Sequence, residues 1–583
     1  MGNLRLYLAQ INPTVGDFKG NNKIIASHIK EAKKNNVDII VFPELSITGY
    51  PPEDLLLNAA FINENIKYLD NIREIATDII VIVGFANKEN GGIYNSAAVL
   101  YNQQIKSIYN KQFLPNYSVF DEERYFQKGN VSYIYKIAEI PVGINICEDI
   151  YYCSGPTKSQ SIIGSAELII NISASPYHTE KTSEREKILF TRAVDNRVNI
   201  AYVNLAGGQD GLVFDGNSLI INEKGRIIAR AKPFSEDVLI YDLSTKGVIS
   251  ARLKDAKFKN QRAKMQKDYN PLQIIDLKFS KKTSKKNTSR KIIDKYSEYI
   301  SCTEEEIFQA LILGTKDYIR KNGFNKAVVA LSGGIDSALT ALIAAFAIGK
   351  VNVTGILMPS IYSSKGSVDD AIELSKNLGI KTITIPISDI YSSYLKNLKP
   401  IFKDNKINVT RENIQARIRG NIVMAIANEN GWLVLSTGNK SEISVGYCTL
   451  YGDMVGGFSP IKDVYKTIVY RICKFINNKY SGLIPENTIT KAPSAELKPD
   501  QKDEDKLPPY KILDPILKAY IEDDCDYNSI IKMGYDMQVV KEVINMVDSN
   551  EYKRRQGSPG IKITPRAFGK DRRYPITNKF KLS

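Results

Sequence analysis

A lysine-rich stretch at residues 251–295 divides the chain. On either side of it, short β-rich runs alternate with helical ones, so the pattern calls for two separate α/β cores. The length agrees: 583 residues exceed the roughly 100–200 that one core usually serves. The break itself, with Lys-Lys-Thr-Ser-Lys-Lys-Asn-Thr-Ser-Arg at 281–290, offers little apolar surface to bury and reads as a basic linker. The expected domains are therefore 1–250 and 296–583, and no internal repeat is evident.

Before the break, β runs are expected at Asp38–Phe42, Ile79–Val83, Ser96–Leu100, Pro141–Ile146, Leu168–Ile172 and Ile200–Asn204. Two hairpins are expected within a mixed sheet, one across Tyr-Asn-Gln-Gln at 101–104 and one across Asn-Glu-Lys-Gly at 222–225. After the break, Thr303-Glu304-Glu305-Glu306 reads as a capping box that opens a helix. Strands are then expected at Ala327–Leu331, Val353–Met358 and Thr382–Ile385, with a helix starting at Asp336.

Residue counts remove several chemistries. There are two histidines, so Ser-His-Asp, Cys-His and multi-histidine metal sites are nearly excluded. His28 lies in an amphipathic helical pattern and reads as structural, and His178 beside Ser175-Pro176 is little more informative. Six cysteines without a CxxC pair argue against disulfide frameworks and thiolate zinc sites. No apolar run approaches the roughly 20 residues of a membrane span, and the opening stretch turns polar at Asn12, so a cytoplasmic location is expected. The net charge of +15 suggests nucleic acid, but residues 251–291 hold 14 Lys/Arg against three Asp and residues 551–583 hold ten against two acids, leaving about −4 elsewhere. The excess sits in a linker and a tail, and no nucleic-acid or membrane partner is expected.

In the first half, three reactive side chains each follow a β run: Glu44, Lys111 and Cys147. Strand ends of α/β sheets are where sites converge. A thiolate needs a base and a cationic neighbour, and where histidine is scarce a carboxylate and an ammonium supply both. Phe42-Pro43-Glu44-Leu45, Lys111-Gln112-Phe113-Leu114-Pro115-Asn116-Tyr117 and Ile146-Cys147-Glu148-Asp149, in that order, resemble the three signatures of the nitrilase (carbon–nitrogen hydrolase) superfamily. The resemblance implies an αββα sandwich and a Glu-Lys-Cys triad for amide hydrolysis, with Glu44 as general base, Lys111 steadying the oxyanion and Cys147 as nucleophile. Cys153 lies outside any signature. Resemblance at 116–126 and at Ser173-Ala174-Ser175-Pro176 points to the glutaminase branch and implies Tyr117, Ser175 and Lys181 as glutamine contacts. A solvated lysine at a helix start is the competing reading of Lys181.

In the second half, Ala-Val-Val-Ala-Leu-Ser-Gly-Gly-Ile-Asp-Ser at 327–337 reads as strand, glycine turn and helix start, a geometry that points N–H groups at an anion. It lacks the Gly-Lys-Ser/Thr of a Walker loop. It resembles the loop of ATP pyrophosphatases, which release AMP and pyrophosphate, and that class implies a doubly wound parallel sheet. Glu412–Gly420, Ser436–Glu442, Gly446–Asp453, Lys491–Leu497, Asp503-Glu504-Asp505, Leu507–Tyr510 and Tyr552–Gln556 are similar to NAD synthetase. A nitrilase-type glutaminase joined to an NAD synthetase is the arrangement of the glutamine-dependent NAD synthetases.

That resemblance implies three small-molecule substrates, ATP, glutamine and deamido-NAD, and magnesium as cofactor on Asp336 and Glu442. ATP would meet Ser332, Gly333, Gly334, Asp336, Ser337, Thr437, Lys466 and Ser494. The dinucleotide would meet Asn413, Arg417, Glu442, Tyr552 and Lys553. Arg419, on the same helix as Arg417, competes with it, and Lys466 also reads as an ordinary helix lysine. The resemblance further implies a homo-oligomer. Two other functions compete: a stand-alone amidase with a nucleotide-sensing half, and an RNA-modifying pyrophosphatase-loop enzyme.

Overall fold

The computed structural model describes residues 3–265, 272–279, 297, 300–402, 408–499 and 501–580. The lysine run at 281–290 lies outside them. Two units separate by packing, Met1–Gln209 with Val213–Ile300, and Asp210–Leu212 with Ser301–Ser583.

The first unit holds two main sheets. One has six strands in the order Asp237–Ser244, Asn3–Gln10, Ile39–Val41, Ile80–Glu89, Gly92–Tyr101 and Gln104–Asn110. The other has seven, in the order Ile227–Arg230, Leu219–Ile221, Asn199–Asn204, Leu168–Ser173, Ile140–Ile146, Ser132–Ile137 and Leu272–Asp276. Strand alternation explains the layering. Leu6, Leu8, Ile80 and Ile82 turn to one core, which they share with Ile144, Ile170 and Ile172 of the second sheet. Tyr7, Ala9, Val81 and Val83 turn the other way, onto the helices Phe18–Lys34 and Ala59–Ile75. Ile169 and Tyr202 likewise pack on the helix Lys181–Asn196. The result is the expected helix–sheet–sheet–helix sandwich, and strands covered on both faces read as nearly unbroken apolar runs.

Local details differ from the sequence reading. The first expected hairpin closes more tightly, because Tyr101 pairs with Gln104 and only Asn102 and Gln103 turn, both at positive φ (48° and 60°). A second such turn, Asn90-Gly91, joins Ile80–Glu89 to Gly92–Tyr101 and escaped that reading. The basic stretch carries the helix Ala256–Met265 and the edge strand Leu272–Asp276, which pairs in parallel with Ser132–Ile137. Phe258, Met265 and Leu277 are buried there, so a few apolar residues order a segment whose overall composition is that of a linker.

In the second unit four parallel strands run in the order Lys381–Thr384, Val353–Leu357, Ala327–Ala330 and Leu433–Leu435. Val328 and Ile356 pack against Ile414 and Ile418 of the helix Val409–Asn430. A separate helical core gathers Leu513, Ile516, Leu517, Val540, Val543 and Ile544. The helix Thr303–Lys321 is capped from Cys302, without a side-chain bond, so Thr303 is its first residue and the capping box does not form. Glu304–Glu306 still place negative charge on its first turn, where the helix dipole favours it.

One buried ion pair ties the first unit together. Arg185 makes two bonds to Asp215, at 2.9 and 3.1 Å, with neither side chain more than 1% exposed. Asp215 also accepts from Thr182 and Asn217. Asp215→Ala leaves a buried guanidinium without its counter-charge, and we expect a loss of about 3–5 kcal/mol in denaturant unfolding followed by circular dichroism. A change below about 1 kcal/mol would show that the pair is dispensable.

Candidate active sites

The strand Ile140–Ile146 ends at Cys147, which sits at φ 42°, a left-handed conformation that a non-glycine residue holds only under constraint. Asp149 supplies the constraint. Its buried carboxylate accepts from Ile146 N (3.0 Å) and Tyr109 OH (2.7 Å), and from Gln112 N and Phe113 N (3.0 and 2.9 Å). One side chain thus pins the turn carrying Cys147 to the segment that follows Lys111. Burial pushes this carboxyl up to about 6, against the pull of the Tyr109 hydroxyl and the backbone N–H groups.

Lys111 is wholly buried and bonds Glu44 Oε1 (2.7 Å) and both oxygens of Glu122 (2.9 Å each). Glu44 also accepts from Asn95 Nδ2 at Oε1 (2.7 Å) and from Ala174 N at Oε2 (2.8 Å). Tyr50 OH donates to Glu122 (3.0 Å). Two carboxylates around one ammonium leave a negative excess in a buried site. Burial, opposed by Lys111 and reinforced by Glu44, raises Glu122 to about 7. Burial works against the Lys111 ammonium, but Glu122 and Glu44 overcome it and hold the ammonium charged. Burial, with Glu44, lifts the Cys147 thiol well above its ordinary value, although Lys111 opposes this. Burial thus favours the neutral thiol at Cys147.

Around this centre Tyr117 OH bonds Glu148 (3.0 Å). Lys181 begins the helix Lys181–Asn196, bonds Glu184 (3.2 Å) and lies over the Tyr151 ring. Ser175 is gripped through its main chain by Asn204, which accepts from its N–H (2.9 Å) and donates to its carbonyl (3.2 Å). Burial raises the Glu148 carboxyl, while Tyr117, Lys111 and Lys181 oppose the rise. Glu122, Asn95, Asp149 and Glu148 received no role from the sequence. Glu122 stands in Phe-Asp-Glu-Glu-Arg, within the 116–126 stretch that resembles the glutaminase branch, but nothing local says which acid turns inward.

In the second unit residues 331–334 join the strand Ala327–Ala330 to the helix Ile335–Ile348, whose first turn carries Asp336 and Ser337. Gly333 takes φ +78°, and a Cβ there would lie 2.1 Å from Ser367 O, so the position requires glycine. Ser332 and Ser337 bond each other (3.2 Å), and Gly334 N donates to Ser332 Oγ (3.2 Å). A cavity of about 320 Å³ is lined by Ser332, Gly334, Asp336, Ser337, Thr437, Glu442, Lys466 and Ser494, together with Arg419, Lys491 and Asp503. Lys466, 3% exposed, starts the helix Lys466–Tyr480 and clamps Asp336 and Glu442, the latter at 3.1 Å. Asn439 donates to Asp336 (3.1 Å), and Tyr510 and Tyr447 hold Asp503 (2.9 and 3.3 Å). Burial, with Asp336 and Asp503 adding to it and Lys466 opposing it, drives the Glu442 carboxyl upward.

The residues expected to meet the dinucleotide lie apart from this lining, except Glu442. Arg417 is exposed and donates to Leu450 O (3.1 Å), whereas Arg419 lines the cavity, donates to Met358 O (3.1 Å) and is held down to about 10 by burial. Asn413 accepts from Thr449 (2.9 Å). Tyr552 is exposed, and Lys553 spends its donors on Gly446 O and Cys448 O. Arg554 is buried on Glu551, Ser444 O and Val547 O. Part of the basic tail is thus structural.

For a divalent cation, Asp336 and Glu442 offer hard oxygen donors facing the phosphate-type loop. Among the described residues no group of three or more His, Cys, Asp or Glu could form a complete metal site. Two carboxylates with room for phosphate oxygens and water suit magnesium, which takes few protein ligands.

A carbon–nitrogen hydrolase domain followed by an NAD synthase domain is what these sites and folds define, and the carbon–nitrogen hydrolase family matches residues 5–253 and the NAD synthase family residues 307–557. Glutamine-dependent NAD(+) synthetases of Thermotoga maritima and Aquifex aeolicus are each 47% identical to this chain, over 100% and 99% of it and 100% of each relative. The solved glutamine-dependent NAD+ synthetase of Acinetobacter baumannii, in complex with ADP, is 39% identical with a TM-score of 0.73 and 99% of both chains covered. The chain belongs to the glutamine-dependent NAD(+) synthetases.

The raised thiol has a direct readout. With iodoacetamide and site-resolved mass spectrometry, alkylation of Cys147 should still be climbing above pH 9, the ordinary value for a thiol. A plateau reached by pH 7 would contradict the protonated resting state.

Proposed function

We propose that this protein makes NAD by amidating deamido-NAD at the expense of ATP, with the nitrogen taken from glutamine in the first unit (1–250, with 296–583 as the synthetase domain). The observation that carries the reading is the pairing, in one chain, of the Cys147 turn beside Glu44 and Lys111 with the strand–loop–helix cavity around Lys466.

In the first site Glu44 takes the Cys147 proton as sulfur attacks the glutamine carboxamide carbon. The ammonium of Lys111 stabilises the developing oxyanion by its field. Glu44 returns the proton to the departing nitrogen, ammonia leaves, and Sγ is held as a thioester. Glu44 then deprotonates water, which cleaves the thioester to glutamate and restores the thiol. Tyr117, Ser175 and Lys181, with Glu148, surround the amino-acid end of the substrate, where a carboxylate and an ammonium require opposite charges.

In the second site the nicotinate carboxylate attacks the α-phosphorus of ATP, and pyrophosphate leaves. The activation is needed because a free carboxylate is a poor electrophile. Ammonia attacks the acyl carbon, AMP departs and the carboxamide forms. Ser332, Gly333, Gly334, Ser337, Thr437 and Ser494 would hold the nucleotide, with Lys466 compensating phosphate charge. Magnesium, held by Asp336 and Glu442, would supply charge neutralisation for the phosphates. Asn413, Arg417, Tyr552 and Lys553 would hold deamido-NAD, with Arg419 a second cation for its anionic groups. At neutral pH free ammonia is mostly protonated and inert, which is the chemical reason to release it from glutamine within the same protein. A homo-oligomer in the cytoplasm acting only on small molecules completes the reading, and no described helix is long and apolar enough to cross a membrane.

Cys147→Ala should abolish glutamine-driven NAD formation while leaving ammonium-driven synthesis within about twofold of the unaltered protein. Glutamine-driven synthesis surviving the substitution would exclude Cys147 as nucleophile, and loss of both activities would contradict the separation of the two sites.

A further inference from the structure

Asn95 lies on the strand Gly92–Tyr101, wholly buried, in the sequence Ile-Tyr-Asn-Ser-Ala. Its main-chain carbonyl accepts from Lys111 N (2.9 Å), and its side-chain Nδ2 donates to Glu44 Oε1 (2.7 Å), with a longer reach to Glu122 Oε2 (3.5 Å). Its own Oδ1 is buried with no partner. Buried polar atoms are usually paired, so an unpaired one calls for an explanation. Here the amide turns both hydrogens toward the acidic side and leaves its oxygen unpaired.

The acceptor count of Glu44 shows the consequence. A carboxylate offers about four lone-pair positions, two on each oxygen. Oε1 is filled by Lys111 Nζ and Asn95 Nδ2, and Oε2 holds only Ala174 N. We propose that Asn95 is a positioning residue that saturates Oε1 and so leaves the free position on Oε2 as the one that exchanges protons with Cys147 and the leaving nitrogen.

Asparagine suits this task because its amide donates at every working pH. An aspartate of the same shape would add a third carboxylate beside Glu44 and Glu122. The charged and titratable groups that face Glu44 are Lys111, Glu122, Cys147 and Glu148, with Tyr50 reaching it through Glu122. None of them substitutes for Asn95. The three protons of Lys111 are committed to carboxylate oxygens, and Cys147 is the group to be deprotonated.

The inference rests on Glu44 being the general base of a glutaminase, and the test separates the two claims. The acid limb of a kcat/KM profile reports ionisation of the base in the free enzyme. Removing a donor from the ionised form raises a carboxyl pKa. Asn95→Leu should therefore move that limb up by about one to two pH units. It should lower kcat by roughly 10- to 100-fold. KM for glutamine and ammonium-driven NAD formation should stay within about twofold. The isosteric Asn95→Asp should move the limb upward as well, and it carries the test if the leucine variant loses ammonium-driven synthesis through misfolding. An acid limb left in place in a variant that retains ammonium-driven synthesis overturns the proposal, as does a change confined to KM. If Glu44→Gln keeps glutamine hydrolysis, the assignment of the base has failed and the role of Asn95 fails with it. A loss there, with no shift for the Asn95 variants, overturns the positioning role alone.

Discussion

At each candidate site a buried lysine is held between two carboxylates: Lys111 with Glu44 and Glu122, and Lys466 with Asp336 and Glu442. Burial disfavours each ammonium unless its acids offset it, and each pair of acids repels unless the ammonium lies between them. With only two histidines in 583 residues, this is how the protein obtains groups that titrate near neutrality. Burial, with the neighbouring acid adding to it and the lysine opposing it, lifts one carboxyl in each cluster. In the proposed reactions the first cluster would serve the Cys147 thiol and the second a nucleotide with its cation.

The folds deliver these clusters in similar ways. Cys147 ends the strand Ile140–Ile146, Lys111 follows Gln104–Asn110, and Glu44 lies just beyond Ile39–Val41, so three strands of a sandwich converge on one point. Asp149 then fixes the turn geometry that the strands alone leave open. In the second unit the loop after Ala327–Ala330 brings Asp336 to Lys466, the first residue of a distant helix, and Gly333 allows the close approach to Ser367 that this path needs. Both sites are braced by neighbouring polar side chains: Asn95 and Asn204 in one, Asn439 and Tyr510 in the other.

Much of this was legible in the chain. Strands covered on both faces announce themselves as apolar runs, and reactive side chains directly after such runs mark a site. What stayed hidden is polar groups whose burial is decided by distant partners. Glu122 and Asn95 sit in polar or mixed neighbourhoods, and only the arrival of Lys111 and Glu44 turns them inward. The strand Leu272–Asp276 was concealed by the lysines around it, because composition averages over the few residues that pair. Arg417 and Arg419, two positions apart on one helix, point to different surroundings, and sequence alone offered no means of choosing between them.

In the proposed reaction, nitrogen freed at Cys147 becomes the carboxamide made beside Lys466. The most direct measurement incubates the purified protein with deamido-NAD, Mg-ATP and glutamine labelled with ¹⁵N in its amide, in the presence of unlabelled ammonium. NAD, pyrophosphate, glutamate and the label in the nicotinamide are followed together. The account predicts that the three products rise one to one and that the carboxamide carries ¹⁵N despite the unlabelled pool. Glutamate rising without NAD and pyrophosphate, or NAD carrying only unlabelled nitrogen, would contradict it.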